Sequence, residues 1–372
     1  MKTLFAISFF LAFFSISVFA GNKNFMFSPD TVVDKNSTLV VAEDQEAELK
    51  YNDGIRLLGE NKYKEAIEAF DQALKIKPAF DVAFFNRGIA KAALKDVAGA
   101  IADFDEALKL KPDMGNAYYS KGQILYDQNK FPEALAEFNK AKEHGVKEAG
   151  MYYFAGVCLF QAGDYKAAIE EYTAAINAKS DYAVAYNDRG SCKKQLEDYD
   201  GAIADYTKAI ELDKKLHISY NNRGSCKRKK NDFEGAIKDY DEAIKIKDDY
   251  YIALNNRGSC KYELKDYKGA VEDFTRAFTI KTDYEFAYNN LGSVYIKLAG
   301  TQEKDSDAKK YYEDAVKVLD KAIQINPDYG YAYMNRGNSK EMLRDEAGAC
   351  ADWKKAADLG VKNAQTFISS CK

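Results

Sequence analysis

The sequence predicts an all-α solenoid of nine helix–turn–helix units closed by a C-terminal capping helix, and three observations carry that expectation. One phrase recurs every 34 residues: Tyr186–Cys192 reads YNDRGSC, Tyr220–Cys226 reads YNNRGSC and Leu254–Cys260 reads LNNRGSC. A second phrase follows each at fixed distance, at Tyr199–Ile210 (YDGAIADYTKAI), Phe233–Ile244 (FEGAIKDYDEAI) and Tyr267–Phe278 (YKGAVEDFTRAF), so the unit is two amphipathic segments joined by a short polar turn. Only five prolines occur in 372 residues, and 30% of the residues are charged, a balance that favours helices. A strict internal period overrides the two or three globular domains expected for this length, because stacked units share one continuous core.

Taken in order, residues 1–20 stand apart from the repeats. Lys2 supplies a positive start, Leu4 to Phe19 is an apolar run, and Val18-Phe19-Ala20 offers small residues before Gly21, the pattern of a cleaved signal peptide. An uncleaved anchor is the alternative, though sixteen apolar residues are short for a span. The expected address is exported, periplasmic or secreted, and without a Cys at the cleavage point it is not a lipoprotein. Cleavage removes Lys2 and leaves 53 basic against 58 acidic residues, a net charge of −5. With no concentrated basic face, nucleic acid is not an expected partner, and no later stretch is apolar enough to span a bilayer. Residues 21–46 are polar, lack helical periodicity and are read as a flexible tail.

The units follow at 47–80, 81–114, 115–148, 149–182, 183–216, 217–250, 251–284, 285–329 and 330–363. Their shared Gly runs from Gly54 through Gly88, Gly122, Gly156, Gly190, Gly224, Gly258 and Gly292, then reaches Gly337 after 45 residues. The extra eleven residues fall near 299–310 (AGTQEKDSDAKK) and predict a longer turn and a prolonged second helix. A Gly inside a helix costs about 1 kcal/mol relative to Ala, so nine of them imply close helix approach. In the second segment, Ala, an aromatic four residues on and Ala again after seven form one apolar stripe, as in Ala236, Tyr240 and Ala243. Pro78, Pro112 and Pro327 end three of these segments. Residues 364–372 finish the capping helix, which covers the open end of the stack.

A 34-residue helix–turn–helix with Gly, Ala, aromatic, Ala and Pro at these intervals resembles the tetratricopeptide repeat. The likeness covers about Ala47 to Asn363. It implies a right-handed superhelix whose first helices line a concave groove where a protein or peptide binds. Tyr and Phe replace the family's usual Trp at the first aromatic slot, a change that leaves the fold intact.

Chemistry is sparse. Five units carry a charged trio: Arg87, Lys91 and Asp103; Arg189, Lys193 and Asp205; Arg223, Lys227 and Asp239; Arg257, Lys261 and Asp273; Arg336, Lys340 and Asp352. Units lacking the Arg lack the Asp, so each carboxylate is expected to meet both basic groups across the helix pair as a structural network. Cys158, Cys192, Cys226 and Cys260 also step by 34; equivalent sites lie roughly 8–10 Å apart, too far for a disulfide or shared ion, and read as small core residues. Cys350 and Cys371 are either bonded or two free thiols. His144 and His217 are isolated, and no nucleophile–base set or phosphate loop accompanies them. The chain is therefore expected to be no enzyme, with no cofactor and no metal.

If the resemblance holds, the residues counted around each Gly give the groove. In the later units these are Asn187, Asp188, Ser191, Asn221, Asn222, Ser225, Asn255, Asn256, Ser259, Asn289, Asn290, Ser293, Asn335 and Asn338. An amide both donates and accepts, so the row suits an extended peptide of any sequence, resembling the asparagine ladder of O-linked N-acetylglucosamine transferase. The alternative is that these amides are solvated or bonded within the array. Toward the front the groove turns apolar, with Tyr51, Ile55, Phe85, Ile89, Tyr119, Tyr126, Tyr153, Phe154 and Phe160, and such a patch calls for a cover. A partner helix or peptide, a second copy of this chain, or the tail are the candidates. The chaperone-type carboxylate clamp is not matched, which disfavours an acidic C-terminal tail as ligand. The expected function is a non-catalytic scaffold for protein partners; the alternative is a self-associating component of a cell-envelope assembly.

Overall fold

The computed structural model describes residues 35–369 and 371, so the signal segment 1–20 and residues 21–34 of the expected tail lie outside the described residues. The described residues are all-helical, with nineteen helices and no strand. They fall into two compact units, one ending at Asp164 and the other beginning at Tyr165.

The first unit holds α1 (Lys35–Gly59), α2 (Tyr63–Ile76), α3 (Asp81–Ala93), α4 (Val97–Leu110), α5 (Gly115–Asp127), α6 (Phe131–Glu143) and α7 (Ala149–Ala162). The second holds α8 (Tyr165–Ala178), α9 (Ala183–Gln195), α10 (Tyr199–Leu212), α11 (His217–Lys229), α12 (Phe233–Ile246), α13 (Tyr251–Glu263) and α14 (Tyr267–Ile280). It continues with α15 (Glu285–Ala299), α16 (Asp305–Ile325), α17 (Gly330–Met342), α18 (Glu346–Asp358) and α19 (Ala364–Ile368). Within each unit the odd-numbered helices of neighbouring repeats touch one another, while each even-numbered helix packs against the odd-numbered helices before and after it, except that α8, which opens the second unit, packs there against α9. The odd helices thus form one layer and the even helices the other.

Two elements differ from the sequence reading or extend it. Residues 35–46 are the opening turns of α1, not a non-helical tail. That correction has a physical basis: Ala47 is fully buried, and a helix already docked there propagates backward with one hydrogen bond gained per residue. In the repeat with the insertion, α16 is 21 residues long against 14 for α14, and the turn occupies 300–304.

The helix stripes explain the packing. On α12, Ala236, Tyr240, Ala243 and Ile244 are buried at i, i+4, i+7 and i+8 and meet Ala253, Leu254 and Cys260 of α13. Five even helices open with an Asp cap whose carboxylate accepts from the amide three residues on, as Asp232 does from Gly235 at 2.9 Å. A side chain at Gly235 would run into that carboxylate, which is why Gly follows the cap. The turns between paired helices close through a residue with positive φ, such as Lys95 at 66°, with Asp96 N–H donating to the Lys91 carbonyl at 2.9 Å.

The shared Gly lets the paired helix press an aromatic ring against the backbone. A Cβ on Gly122 would sit 2.6 Å from Phe138 Cε1, whereas one on Gly59 meets nothing within 4 Å. Gly122→Ala is therefore expected to lose about 1–3 kcal/mol through overpacking, and Gly59→Ala to gain up to about 1 kcal/mol of helix propensity. Urea unfolding of the two variants checks this; a stabilised Gly122→Ala would show the ring yields freely.

Candidate functional site

The layer of odd helices carries the amide row, and the structure divides that row in two. Three residues before each Gly, Asn187, Asn221, Asn255 and Asn289 are buried, each about 7% exposed or less. Two before the Gly, Asn222, Asn256, Asn290 and Asn335 are half-buried and reach back to the preceding repeat. Asn256 Nδ2 donates to Asn221 Oδ1 at 3.0 Å, Asn290 to Asn255 at 2.9 Å, Asn335 to Asn289 at 2.9 Å, and Asn222 to Asn187 at 3.5 Å. Ser219 Oγ donates to Asn187 Oδ1 as well, at 2.8 Å. The ladder is therefore first an internal seam between repeats. The four buried amides, expected as groove contacts, present no side-chain surface to a partner, because the inter-repeat approach encloses them.

The hydroxyl slot is similar. Ser191, Ser259 and Ser293 donate to the carbonyl four residues back in their own helix, and Ser191 is buried against the Tyr206 hydroxyl at 3.1 Å. Ser225 is half-buried, and Asn338 Oδ1 accepts from Trp353 Nε1 at 3.0 Å. Asp188 accepts from Asn187 Nδ2 at 2.9 Å.

What remains open on this layer is a row the sequence reading missed. Six residues before each Gly stand Val184, Ile218, Ile252, Phe286 and Tyr331, on the same helix face as the amides by the i, i+4 rule. Val184 (40% exposed), Phe286 (41%) and Tyr331 (61%) face solvent. The 34-residue register contained that signal, since the slot is apolar in all five of these repeats.

The apolar front of the first unit is not the bare patch expected. Tyr51, Ile55, Phe85, Ile89, Tyr119, Tyr126, Tyr153, Phe154 and Phe160 are all half-buried. Their rings rest on the core: Tyr51 lies 5.0 Å from Phe80, Phe85 5.7 Å from Phe104, Tyr119 6.1 Å from Phe138 and Tyr126 4.8 Å from Phe154, centroid to centroid.

All five charged trios form across their helix pairs. Arg223 donates from Nε and Nη2 to Asp239 at 3.0 and 2.7 Å while Lys227 meets the same carboxylate at 2.9 Å. Each Arg also reaches the preceding even helix, Arg257 to Asp241 at 2.6 Å and Arg223 to Thr207 Oγ1 at 3.1 Å. That second reach escaped the sequence reading, as did the Lys121 version in the third repeat, paired with Asp105 at 2.8 Å and Glu137 at 3.6 Å. Burial pushes the Cys158, Cys192 and Cys260 thiols up to about 12 and Cys226 to about 11, so these four buried cysteines are neutral packing groups. Cys350 and Cys371 are joined by a disulfide, with Cα atoms 5.7 Å apart. Among the described residues no group of His, Cys, Asp and Glu is placed to hold a metal, and no helix is long and apolar enough to cross a membrane.

Comparison with known proteins places this geometry. Family models described as tetratricopeptide repeat match residues 51–115, 85–147, 119–184, 183–216, 217–250, 251–284 and 307–329. No curated protein matches the sequence. A tetratricopeptide repeat protein from Parabacteroides merdae superposes with a TM-score of 0.54 and 15% identity, over 68% of this chain and 97% of its own. The C-terminal part of a TPR repeat-containing protein from Cytophaga hutchinsonii does so with a TM-score of 0.51 and 20% identity, over 67% and 99%. At these identities the likeness concerns the fold alone.

Proposed function

This chain belongs to the tetratricopeptide repeat family, and from that premise we propose that it is an exported, non-catalytic scaffold whose second unit holds an extended segment of a partner protein along its odd helices. The observation that carries the reading is the half-buried amide row. Asn222 and Asn256 each use one N–H on the preceding repeat, leaving the other N–H and the carbonyl oxygen for a peptide backbone, while Asn335 spends both N–H groups on Asn289 and Ser293 and offers its carbonyl oxygen. Neighbouring helices pack roughly 8–10 Å apart and an extended chain rises about 3.3 Å per residue, so one rung meets about every third peptide residue. The exposed Val184, Phe286 and Tyr331 supply apolar contact beside the polar row. The signal-like residues 1–20 and the Cys350–Cys371 bond, a linkage that persists in oxidising compartments, support export.

Because the amides also seal the repeats, replacing them with Ala would disturb stability along with binding. Phe286→Asp with Tyr331→Asp is the cleaner test, since both side chains face solvent. Residues 21–372 immobilised on a surface are expected to enrich unstructured 12-residue peptides from a displayed random library. The double variant should bind the enriched peptides at least about tenfold more weakly, the loss of two apolar contacts, with unchanged melting temperature. Equal binding by both proteins, or no enrichment, would remove the groove reading.

A further inference from the structure

The half-buried arginines of the odd helices share one arrangement, and Arg228 breaks it. Arg87, Arg189, Arg223, Arg257 and Arg336 each meet a buried Asp and a second acceptor on the preceding repeat. Arg228, in the last turn of α11, is also half-buried, yet its Nε is enclosed with no hydrogen-bond partner and its guanidinium makes no ion pair. The same slot one period earlier holds another cation. Lys194 sits one period earlier on α9, half-buried, and it too makes no ion pair. Burial lowers the Lys194 pKa, Cys226 opposes that, and the nearby Arg228 charge adds a smaller lowering. The enclosed Tyr240 hydroxyl adjoins the Arg228 guanidinium.

The surrounding groups do not supply the missing negative charge. Asp239 is committed to Arg223 and Lys227, and Asp188 accepts from Asn187. Glu263, at the end of α13, lines an open hollow with Arg228 and Lys229 but is exposed and forms no ion pair with Arg228. Cys192, Cys226 and Cys260 are neutral thiols, as burial raises their pKa values to about 11–12. Two half-buried like charges on adjacent rungs raise the energy of the empty protein. The slot holds a cation in these two repeats alone, since the same position four residues after the Gly holds Leu58, Ala92, Tyr126, Phe160, Tyr262, Ile296 and Glu341 elsewhere. Lys194 and Arg228 share a helix face with the buried amides, seven residues after Asn187 and Asn221, and are themselves only half-buried.

We infer that Lys194 and Arg228 form a seat for one carboxylate of the peptide held along the second unit, an Asp or Glu side chain or the C-terminus. A carboxylate has two acceptor oxygens, one for the terminal guanidinium nitrogens and one for the ammonium, and its single charge relieves the repulsion between the two cations. This site uses positions other than the family's clamp, so its absence there does not weigh against an acidic ligand here. The inference rests on the groove reading above.

The test uses residues 21–372, wild type and Lys194→Gln/Arg228→Gln, against two random 12-residue peptide pools, one with free and one with amidated C-termini. Peptides retained by the wild type are expected to be enriched in Asp or Glu at one position, or to come from the free-terminus pool alone, which names the source of the carboxylate. The double variant should retain those peptides about tenfold more weakly. It should melt at the same or a higher temperature, because a repulsive pair is gone. Retention without any carboxylate preference, or a preference that survives in the double variant, sinks the seat and leaves the groove. No retention of any peptide sinks both. A double variant that melts lower shows that the chain already compensates the pair, and competition by inorganic phosphate at equal concentration shows an unspecific anion site; either result overturns the inference.

Discussion

Asp239→Leu is expected to destabilise the second unit by about 3–5 kcal/mol, because it strips the counter-charge from two basic groups that remain half-buried. Asp239 is only 4% exposed, and its two oxygens accept from Arg223 and Lys227 together. The loss is not confined to one helix pair. Arg223 also holds Thr207 on α10, so a guanidinium released from Asp239 loosens the contact between successive repeats. Replacing Arg223, Lys227 and Asp239 together with apolar residues should recover most of that loss, since a well-packed apolar trio avoids the desolvation of three charges. Array proteins unfold by segments, so amide hydrogen exchange in α11 and α12 is the appropriate reading, with urea melts as support. A single variant that loses less than about 1 kcal/mol would show that the carboxylate is solvated.

The second large effect concerns the end of the stack. The Cys350–Cys371 bond closes 21 residues of chain around Val361, Ala364 and Phe367, which cover Trp353. Cys371→Ser is expected to release the cap at a cost of about 3 kcal/mol, the loop entropy of a cross-link of that length. The loss should appear as faster exchange in α18 and α19 and as a changed Trp353 emission, because Phe367 lies 5.2 Å from that ring. Exchange in α9 to α14 should stay as it was, since contacts in a repeat array are between neighbours. Uniform loss across the second unit would refute a local cap, and no loss anywhere would mean α19 is held by its apolar face alone.

Both effects were legible to different degrees before any coordinates. The Arg–Lys–Asp trios could be read because Arg and Asp come and go together across the repeats, and contact partners separated by a constant 16 residues leave that trace. The Lys121–Glu137 version was missed, since a longer carboxylate replaces Asp and a Lys replaces Arg. For the two cysteines the sequence left bond and free thiols equally open, because closure depends on how the last turn folds back over α18. The start of α1 was misread, as residues 35–46 have little periodicity of their own and are helical by continuation from a docked core.

The sequence by itself determined the architecture: helix pairs, their number in register, the close helix approach at the shared Gly and the cysteines as small core residues. Periodic burial acts on local spacing, and nine copies of one pattern average away the ambiguity of any single one. Only the tertiary structure decided which of two consecutive asparagines is enclosed and which stays half-buried while reaching back to the preceding repeat. Adjacent residues differ by about 100° around a helix, and the direction from which the next repeat approaches selects between them. The same approach brings Lys194 and Arg228 together without a counter-charge, a meeting of residues 34 apart that a one-dimensional pattern does not weigh.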